Sequence, residues 1–432
     1  MRIPTIVLSL CLAAVAHGQS DYGSVASAAE AIDGKVVEWR RHVHQYPELS
    51  NREFKTAEYI ADHLRTLGME VRTGVAHTGV VGILKGELPG PTVALRADID
   101  ALPVTERANL PFASKATGTY RGDTVGVMHA CGHDTHVAML MGAAQLLSER
   151  KAELPGTVVF LFQPAEEGAP VGEEGGAELM VKEGVLRDYD VEAAFGIHIN
   201  SQTPVGHVNY KPGGMMAAAN RFEITVKGKQ AHGSTPWAGI DPITVAAQIV
   251  TGLQLIVSRQ SELTKEAVVI SLGVIEGGVR NNIIPEAVTM IGTIRTLDED
   301  MKQEVFERIR ATATNIAEAS GASAEVTIDK GYPVTYNDPD MTQRMLPTVQ
   351  STLGEDNVHL VNAITGAEDF SYFALEVPSV FYFLGGMSPD MDRSEAPGHH
   401  TPDFVIDEEG LKYGVQLYTN LALDYLRSEH GK

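Results

Sequence analysis

A thiol and three imidazoles crowd the run Met128-His129-Ala130-Cys131-Gly132-His133-Asp134-Thr135-His136, just ahead of a helix-forming stretch. A helix N-terminus lowers a thiol pKa, and a metal ion deprotonates it outright. Cys131 and His133 flank a glycine and can converge on one point in a turn. His136 shares the helical face of His133 and has two readings, ligand or packing residue. A second element, Phe160-Leu161-Phe162-Gln163-Pro164-Ala165-Glu166-Glu167-Gly168, is an apolar strand stopped by proline and followed by two carboxylates. On irregular backbone these glutamates need not diverge, so one can coordinate a metal while the other takes a proton from water. His198 interrupts the apolar run Phe195–Ile199, and His399-His400 lie in a turn-rich loop between Pro397 and Phe404.

Each element alone has an ordinary explanation: a buried cysteine, a solvated acidic loop, a satisfied core histidine. Together, Cys131, His133, Glu167, His198 and His400 offer the mixed sulfur, nitrogen and oxygen donors that a borderline transition metal accepts. Glu166 is then left free to act as a base.

The surrounding pattern alternates helices and strands. Asn51 reads as the cap of a helix through Leu67, ended by Gly68. Val80–Leu84, Thr92–Leu95, Val158–Phe162 and Ala193–Ile199 read as buried strands, and Thr135–Leu147 as a helix. An α/β sheet binds ligands at the C-terminal edge of such strands. The rhythm changes at Gly213-Gly214. Strands at Arg221–Val226, Ala267–Val274, Ala287–Ile294 and Ala324–Ile328, with helices opened by Asp241 and Asp298, spell βαββαβ, the ferredoxin-like unit. A helix near Thr342–Leu353, a strand at Ser379–Leu384 and a helix from Glu408 to Leu426 resume the first domain. The expected division is residues 1–18 as a signal peptide, 30–212 and 331–428 as the two parts of a catalytic domain, and 213–330 as an inserted domain.

The chain has 432 residues, of which 44% are hydrophobic and 21% charged, enough to bury sizeable cores. Its 56 acidic residues against 34 basic ones give a net charge of -22, which repels a phosphate backbone and speaks against nucleic-acid partners. Arg2, the apolar run Ile3–Ala16 and the small residues at Ala16 and Gly18 read as a secretory leader, so the protein is expected to be exported. That run is too short to span a bilayer, and no later uninterrupted apolar run is long enough, so no membrane association is expected. Cys11 leaves with the leader and Cys131 remains, so no intramolecular disulfide can form.

Eight motifs in order resemble one family, the aminoacylase/carboxypeptidase metallopeptidases, and within it the amidohydrolase branch of hippurate hydrolases, N-acetyldiaminopimelate deacetylases and auxin–amino-acid conjugate hydrolases. They are Arg96-Ala97-Asp98-Ile99-Asp100-Ala101-Leu102-Pro103, Met128 to Asp134, Gln163 to Gly168, Gly196-Ile197-His198, Ala231-His232-Gly233-Ser234-Thr235-Pro236, Asn281-Asn282-Ile283-Ile284-Pro285, Gly366-Ala367-Glu368-Asp369-Phe370 and His400-Thr401-Pro402. The similarity covers about Ile32 to Leu426. It implies an exopeptidase-like α/β/α catalytic domain with an inserted ferredoxin-like lid that also dimerises the chain.

By the same resemblance, Cys131, His133, Glu167, His198 and His400 ligate two divalent transition-metal ions, zinc or manganese first, cobalt or nickel also admissible. Glu166 is the general base, and His232 reaches from the lid, across the dimer interface, to stabilise the oxyanion. Asn282 and Arg295 contact a substrate carboxylate, Asp98 lies behind the ligands, and Glu368 or Asp369 lines or braces the pocket. His400 is preferred to His399 because it fits His-x-Pro-x-Phe, and Asn282 to Asn281 by counting back from Pro285. The implied activity is hydrolysis of the amide of N-acyl amino acids; the rival is a carboxypeptidase or dipeptidase using the same site. Met215, Met216, Phe370, Tyr372 and Phe381 are candidate pocket walls. No Gly-x-Ser-x-Gly, His-Glu-x-x-His, Walker or Gly-x-Gly-x-x-Gly pattern is present.

Overall fold

The computed structural model describes Asp21–Glu429, so the leader reading of residues 1–18 lies outside the described residues. Its centre is a mixed sheet of eight strands, in spatial order Glu70–Val75, Gly79–Lys85, Pro155–Gln163, Leu88–Asp98, Ala193–Pro204, Ser379–Met387, Val208–Tyr210 and Val358–Leu360. The middle four run parallel, with Asp98 opposite Gln163 and His198 opposite Phe383. Parallel strands are covered on both faces, which is why these read as unbroken apolar runs.

Alternate residues feed two cores. Leu95, Phe160, Phe195 and Tyr382 pack against helices Tyr22–Gln45, His133–Ser148 and Leu411–Glu429 on one side. Ala94, Leu161, Ala194 and Phe381 pack with Met180, Phe370 and Phe373, from or beside the short helices Gly176–Lys182 and Ser371–Glu376, on the other. This is an α/β/α sandwich.

The inserted unit has four antiparallel strands in the order Val268–Gly277, Ala287–Thr296, Ala218–Lys227 and Ser323–Asp329. Helices Pro242–Leu255 and Glu299–Ala319 cover one face through Phe222, Ile224, Ile249, Leu253, Met290 and Ile309. Both helices start as their sequences predict: Asp241 accepts from the Ile243 N–H and Asp298 from the Met301 N–H. The helical segment Pro242–Gln260 is long and apolar enough to cross a membrane. Its inner face, however, is part of this lid core. The chain enters and leaves the lid side by side, where Gly213–Met216 pairs antiparallel with Thr335–Asn337.

One capping expectation fails. The helix begins at Phe54, not after Asn51, and the carboxylate of Glu48 accepts from the Lys55 and Thr56 N–H groups at 2.9 Å each. Asn51 instead takes a left-handed conformation, and its amide is spent on the loop at Glu173 and Glu174. A long-range contact outbids the local cap.

Leu421, fully buried where the last helix meets the sheet, tests this core. Leu421→Ala should lower unfolding free energy by about 2–5 kcal/mol, read from urea denaturation curves.

Candidate metal centre

Three neighbouring parallel strands end at one place. Leu88–Asp98 delivers Asp98 and Asp100, Pro155–Gln163 delivers Glu166 and Glu167, and Ala193–Pro204 carries His198. The helix His133–Ser148 starts beneath them, entered through Gly132 in a left-handed conformation that brings its Cα against Ile199. The loop Pro397–Phe404 closes the site from the opposite side. A cavity of about 340 Å³ results, lined among others by Cys131, Glu166, Glu167, His198, His399 and His400. A larger groove of about 500 Å³, between Arg40, Phe112 and Glu408, contains none of these groups.

Hydrogen-bond accounting sorts the imidazoles, because a neutral ring has one N–H and one lone pair. His133 Nδ1 donates to the Asp100 carbonyl at 2.9 Å and His198 Nδ1 to the Ile199 carbonyl at 2.6 Å. Each therefore keeps an Nε2 lone pair, and such carbonyl-fixed rings are the usual form of a metal-ligating histidine. His136 is fully committed: Nδ1 bonds Asp98 and Nε2 accepts from the Ile199 N–H at 2.7 Å. It has no lone pair left for a metal. His399 is committed too, since Nε2 accepts from the Ser201 N–H at 3.2 Å and Nδ1 donates to the Cys131 carbonyl at 3.1 Å. His400 Nε2 lies 3.2 Å from both Cys131 Sγ and Glu167 Oε1. Of the doubled pair, the geometry favours His400.

These atoms fit a cation. His133 Nε2 is buried without a hydrogen-bond partner, and the buried Glu167 Oε1 faces His400 Nε2. Cys131 Sγ is 3.5 Å from His198 Nε2, and His133 Nε2 is 3.8 Å from Glu166 Oε2 and 3.9 Å from Glu167 Oε1. The triplets Cys131–Glu167–His400 and His133–Glu166–Glu167 each have donor atoms close enough to share one ion. Burial together with Glu167, Glu166 and Asp98 pushes the Cys131 thiol up, so the thiolate needs positive charge beside it. Burial also raises Glu166 well above the usual carboxylate range, with Glu368, Glu167, Asp369 and Asp98 adding to it.

Behind this layer sits a group the sequence reading left without a role. The buried guanidinium of Arg96 bonds Gln163 at 2.7 Å, Asp98 at 2.8 Å, Glu368 at 2.8 Å and Asp369 at 3.0 Å. Asp98 thus lies between Arg96 and His136, its Oδ2 3.8 Å from His133 Nε2, and Glu368 both lines the cavity and braces Arg96. Asp100 was also missed: its carboxylate accepts the N–H groups of Glu166 and Glu167, each at 3.1 Å, and the Ser50 hydroxyl at 2.7 Å. The alternation of charge in Arg96-x-Asp98-x-Asp100, at the end of a buried strand, was the available signal. Of the expected walls Met216 lines the cavity; Met215, Phe370 and Phe381 are core residues, and Phe383 and Tyr332 supply the aromatic surface.

His232, Asn282 and Arg295 stay on the lid and do not line the cavity. His232 and Asn282 are neighbours there, because Ala231–His232 pairs with Ile283–Ile284. His232 is exposed, and its Nδ1 accepts from the Ser234 hydroxyl at 2.8 Å and N–H at 3.1 Å, which leaves Nε2–H pointing outward as a donor. Asn282 Oδ1 is buried without a partner. Arg295 is half-buried and, among the described residues, has no carboxylate within ion-pair distance.

An α/β sandwich with an inserted lid places a thiol–imidazole–carboxylate cluster at the ends of its parallel strands, and the family of amide-bond hydrolases to which the chain belongs follows from its relatives. Residues 94–424 match the model of peptidase family M20/M25/M40, and the chain belongs to that family. It is 40% identical over 400 residues to thermostable carboxypeptidase 1 of Saccharolobus solfataricus, covering 91% of this chain and 96% of that one. It is 39% identical over 402 residues to N-acetylcysteine deacetylase of Bacillus subtilis, covering 93% and 99%. Among solved structures, the Bacillus subtilis YXEP protein, described as a dinuclear metal binding peptidase from the M20 family, superposes with a TM-score of 0.77 at 36% identity over 92% of this chain and 99% of its own.

The imidazole sorting gives a direct check. His400→Ala should bind fewer metal ions per chain than the parent, and His399→Ala should keep the parental content, measured by elemental analysis after dialysis. Equal loss in both variants would refute the sorting.

Proposed function

We propose that the chain hydrolyses the amide bond of small N-acyl amino acids, releasing a carboxylic acid and a free amino acid. The observation that carries this reading is the convergence of Cys131, Glu167, His400 and the free Nε2 lone pairs of His133 and His198 on one cavity beside buried Glu166. The donor set suits two divalent transition-metal ions, zinc or manganese first and cobalt or nickel also, held by Cys131, His133, Glu167, His198 and His400. Bound there, such ions supply Lewis acidity toward the scissile carbonyl and acidify water.

The rest of the chemistry belongs to the side chains. Glu166 takes the proton of the attacking water and returns it to the leaving amine, which departs poorly unless protonated. His232 of a second copy donates Nε2–H to the developing oxyanion, a role typically contributing roughly 3–4 kcal/mol. Asn282 and Arg295 bind the substrate carboxylate. One feature supports the assignment: half-buried Arg295 has no ion pair of its own among the described residues. The cavity of about 340 Å³, walled by Met216, Ile364, Phe383 and Tyr332, suits a compact acyl group.

The homodimer is part of the same proposal, since His232 lies outside its own chain's cavity. The lid's edge strand Val268–Gly277 exposes Ile275 at 57%, and the neighbouring helix exposes Ile243 at 47% and Leu255 at 50%. Paired with a second copy, these residues leave water. A second reading, carboxypeptidase or dipeptidase activity, draws support from the name of the Saccharolobus relative.

Glu166→Gln should retain its metal and lose at least about 10²–10⁴-fold in kcat; near-parental turnover would remove Glu166 from the base role. Turnover of hippurate-like compounds should exceed that of unblocked dipeptides, and the reverse order would favour the peptidase reading. Light scattering should give twice the chain mass, and Ile275→Lys should shift it toward the monomer with a matching fall in activity.

A further inference from the structure

The turn that carries Glu166 is held from several sides, and one of those holds comes from the lid hinge. Ala165 takes a left-handed conformation, φ 52°, which an alanine adopts only when its surroundings enforce it. The Ala165 N–H donates to Glu53 Oε1 at 2.9 Å, and Asp100 takes the next two N–H groups. These partners belong to the catalytic domain. The backbone carbonyl of Glu166 instead accepts the hydroxyl of Tyr332, at 2.6 Å.

Tyr332 sits where the chain leaves the lid. Its carbonyl accepts from the Ala219 N–H at 3.0 Å, on the first lid strand. Next to it, Gly331 donates to Asn220 Oδ1 at 3.3 Å, and the Val334 N–H donates to Glu299 at the start of a lid helix, at 2.8 Å. Gly331 has no room for a side chain, since a Cβ would come within 2.1 Å of the Ala219 carbonyl oxygen. The segment on both sides of Tyr332 is therefore fastened to the lid, while its phenol ends on the backbone of Glu166.

We propose that Tyr332 is a positioning residue that couples the lid to Glu166, so that rotation of the lid about the paired strands Gly213–Met216 and Thr335–Asn337 sets the orientation of the Glu166 carboxylate. The inference rests on the reading of Glu166 as the proton carrier. Tyr332 also lines the cavity, so a simple wall contact is the competing explanation. The two differ in what they change. A wall contact acts on substrate binding, whereas a positioning contact acts on the chemical step.

The test is Tyr332→Phe in the full-length, metal-loaded protein, which removes one oxygen and keeps the ring. We expect kcat to fall about tenfold with KM within about twofold of the parent and metal content unchanged. Amide hydrogen exchange should speed up at residues 165–168 and stay as in the parent across the helix His133–Ser148 and the lid core. Parental kcat with parental exchange would overturn the proposal, and so would a raised KM at parental kcat, which marks a wall contact. Glu166→Gln, assayed alongside, separates the two levels. If that variant turns over normally, the role of Glu166 fails; the exchange result at 165–168 still decides whether Tyr332 holds the turn.

Discussion

Buried negative charge is the constraint on which the site depends. Asp98, Asp100, Glu166, Glu368 and Asp369 are all removed from water within one region at the sheet's edge. Carboxylates in such surroundings must be paired, hydrogen-bonded or protonated. Arg96 answers for three of them, through its bonds to Asp98, Glu368 and Asp369. Asp100 is satisfied by backbone N–H groups and Ser50. Glu166, Glu167 and the Cys131 thiol are left facing the cavity with unspent donor capacity, and a cation answers that deficit. The protein thus neutralises the rear of the site with its own guanidinium and leaves the front open to the cation proposed above.

The same arrangement fixes which nitrogens are available. All four rings carry their proton on Nδ1; the Nε2 lone pairs of His133 and His198 stay free, while backbone N–H groups of Ile199 and Ser201 take those of His136 and His399. Which of these four rings keeps a free lone pair is therefore decided by main-chain geometry in the surrounding loops. Substituting a carbonyl partner is not an option open to mutation, so this sorting is robust to side-chain change.

Much of this was legible in the sequence because it is local. The apolar runs that end at Asp98, Gln163 and His198 report parallel strands whose polar residues must gather at one edge. The alternation after Gly214 reports the βαββαβ lid, down to the caps at Asp241 and Asp298. The illegible parts are set by contacts far apart along the chain. Asn51 looks like a cap until the loop at Glu173 and Glu174 claims it. The commitment of His399 depends on Ser201, and the turn at Glu166 depends on Glu53, Asp100 and Tyr332. No spacing rule connects those positions. The phenylalanines near the pocket were also ambiguous: Phe381 and Phe383 share one face of their strand, and only Phe383, nearer its C-terminal end, lines the cavity.

The strand order has a consequence for synthesis. Ser379–Met387 lies between Ala193–Pro204 and Val208–Tyr210, two segments separated by only a few residues in the chain. A ribosome finishes both flanking strands, and the whole lid, before it makes the strand that must slot between them. Until then the nascent chain carries an apolar sheet edge at Phe195 and Ile197 with no neighbour, while the lid is free to fold alone. The topology thus makes this seam of the sheet the last that can close.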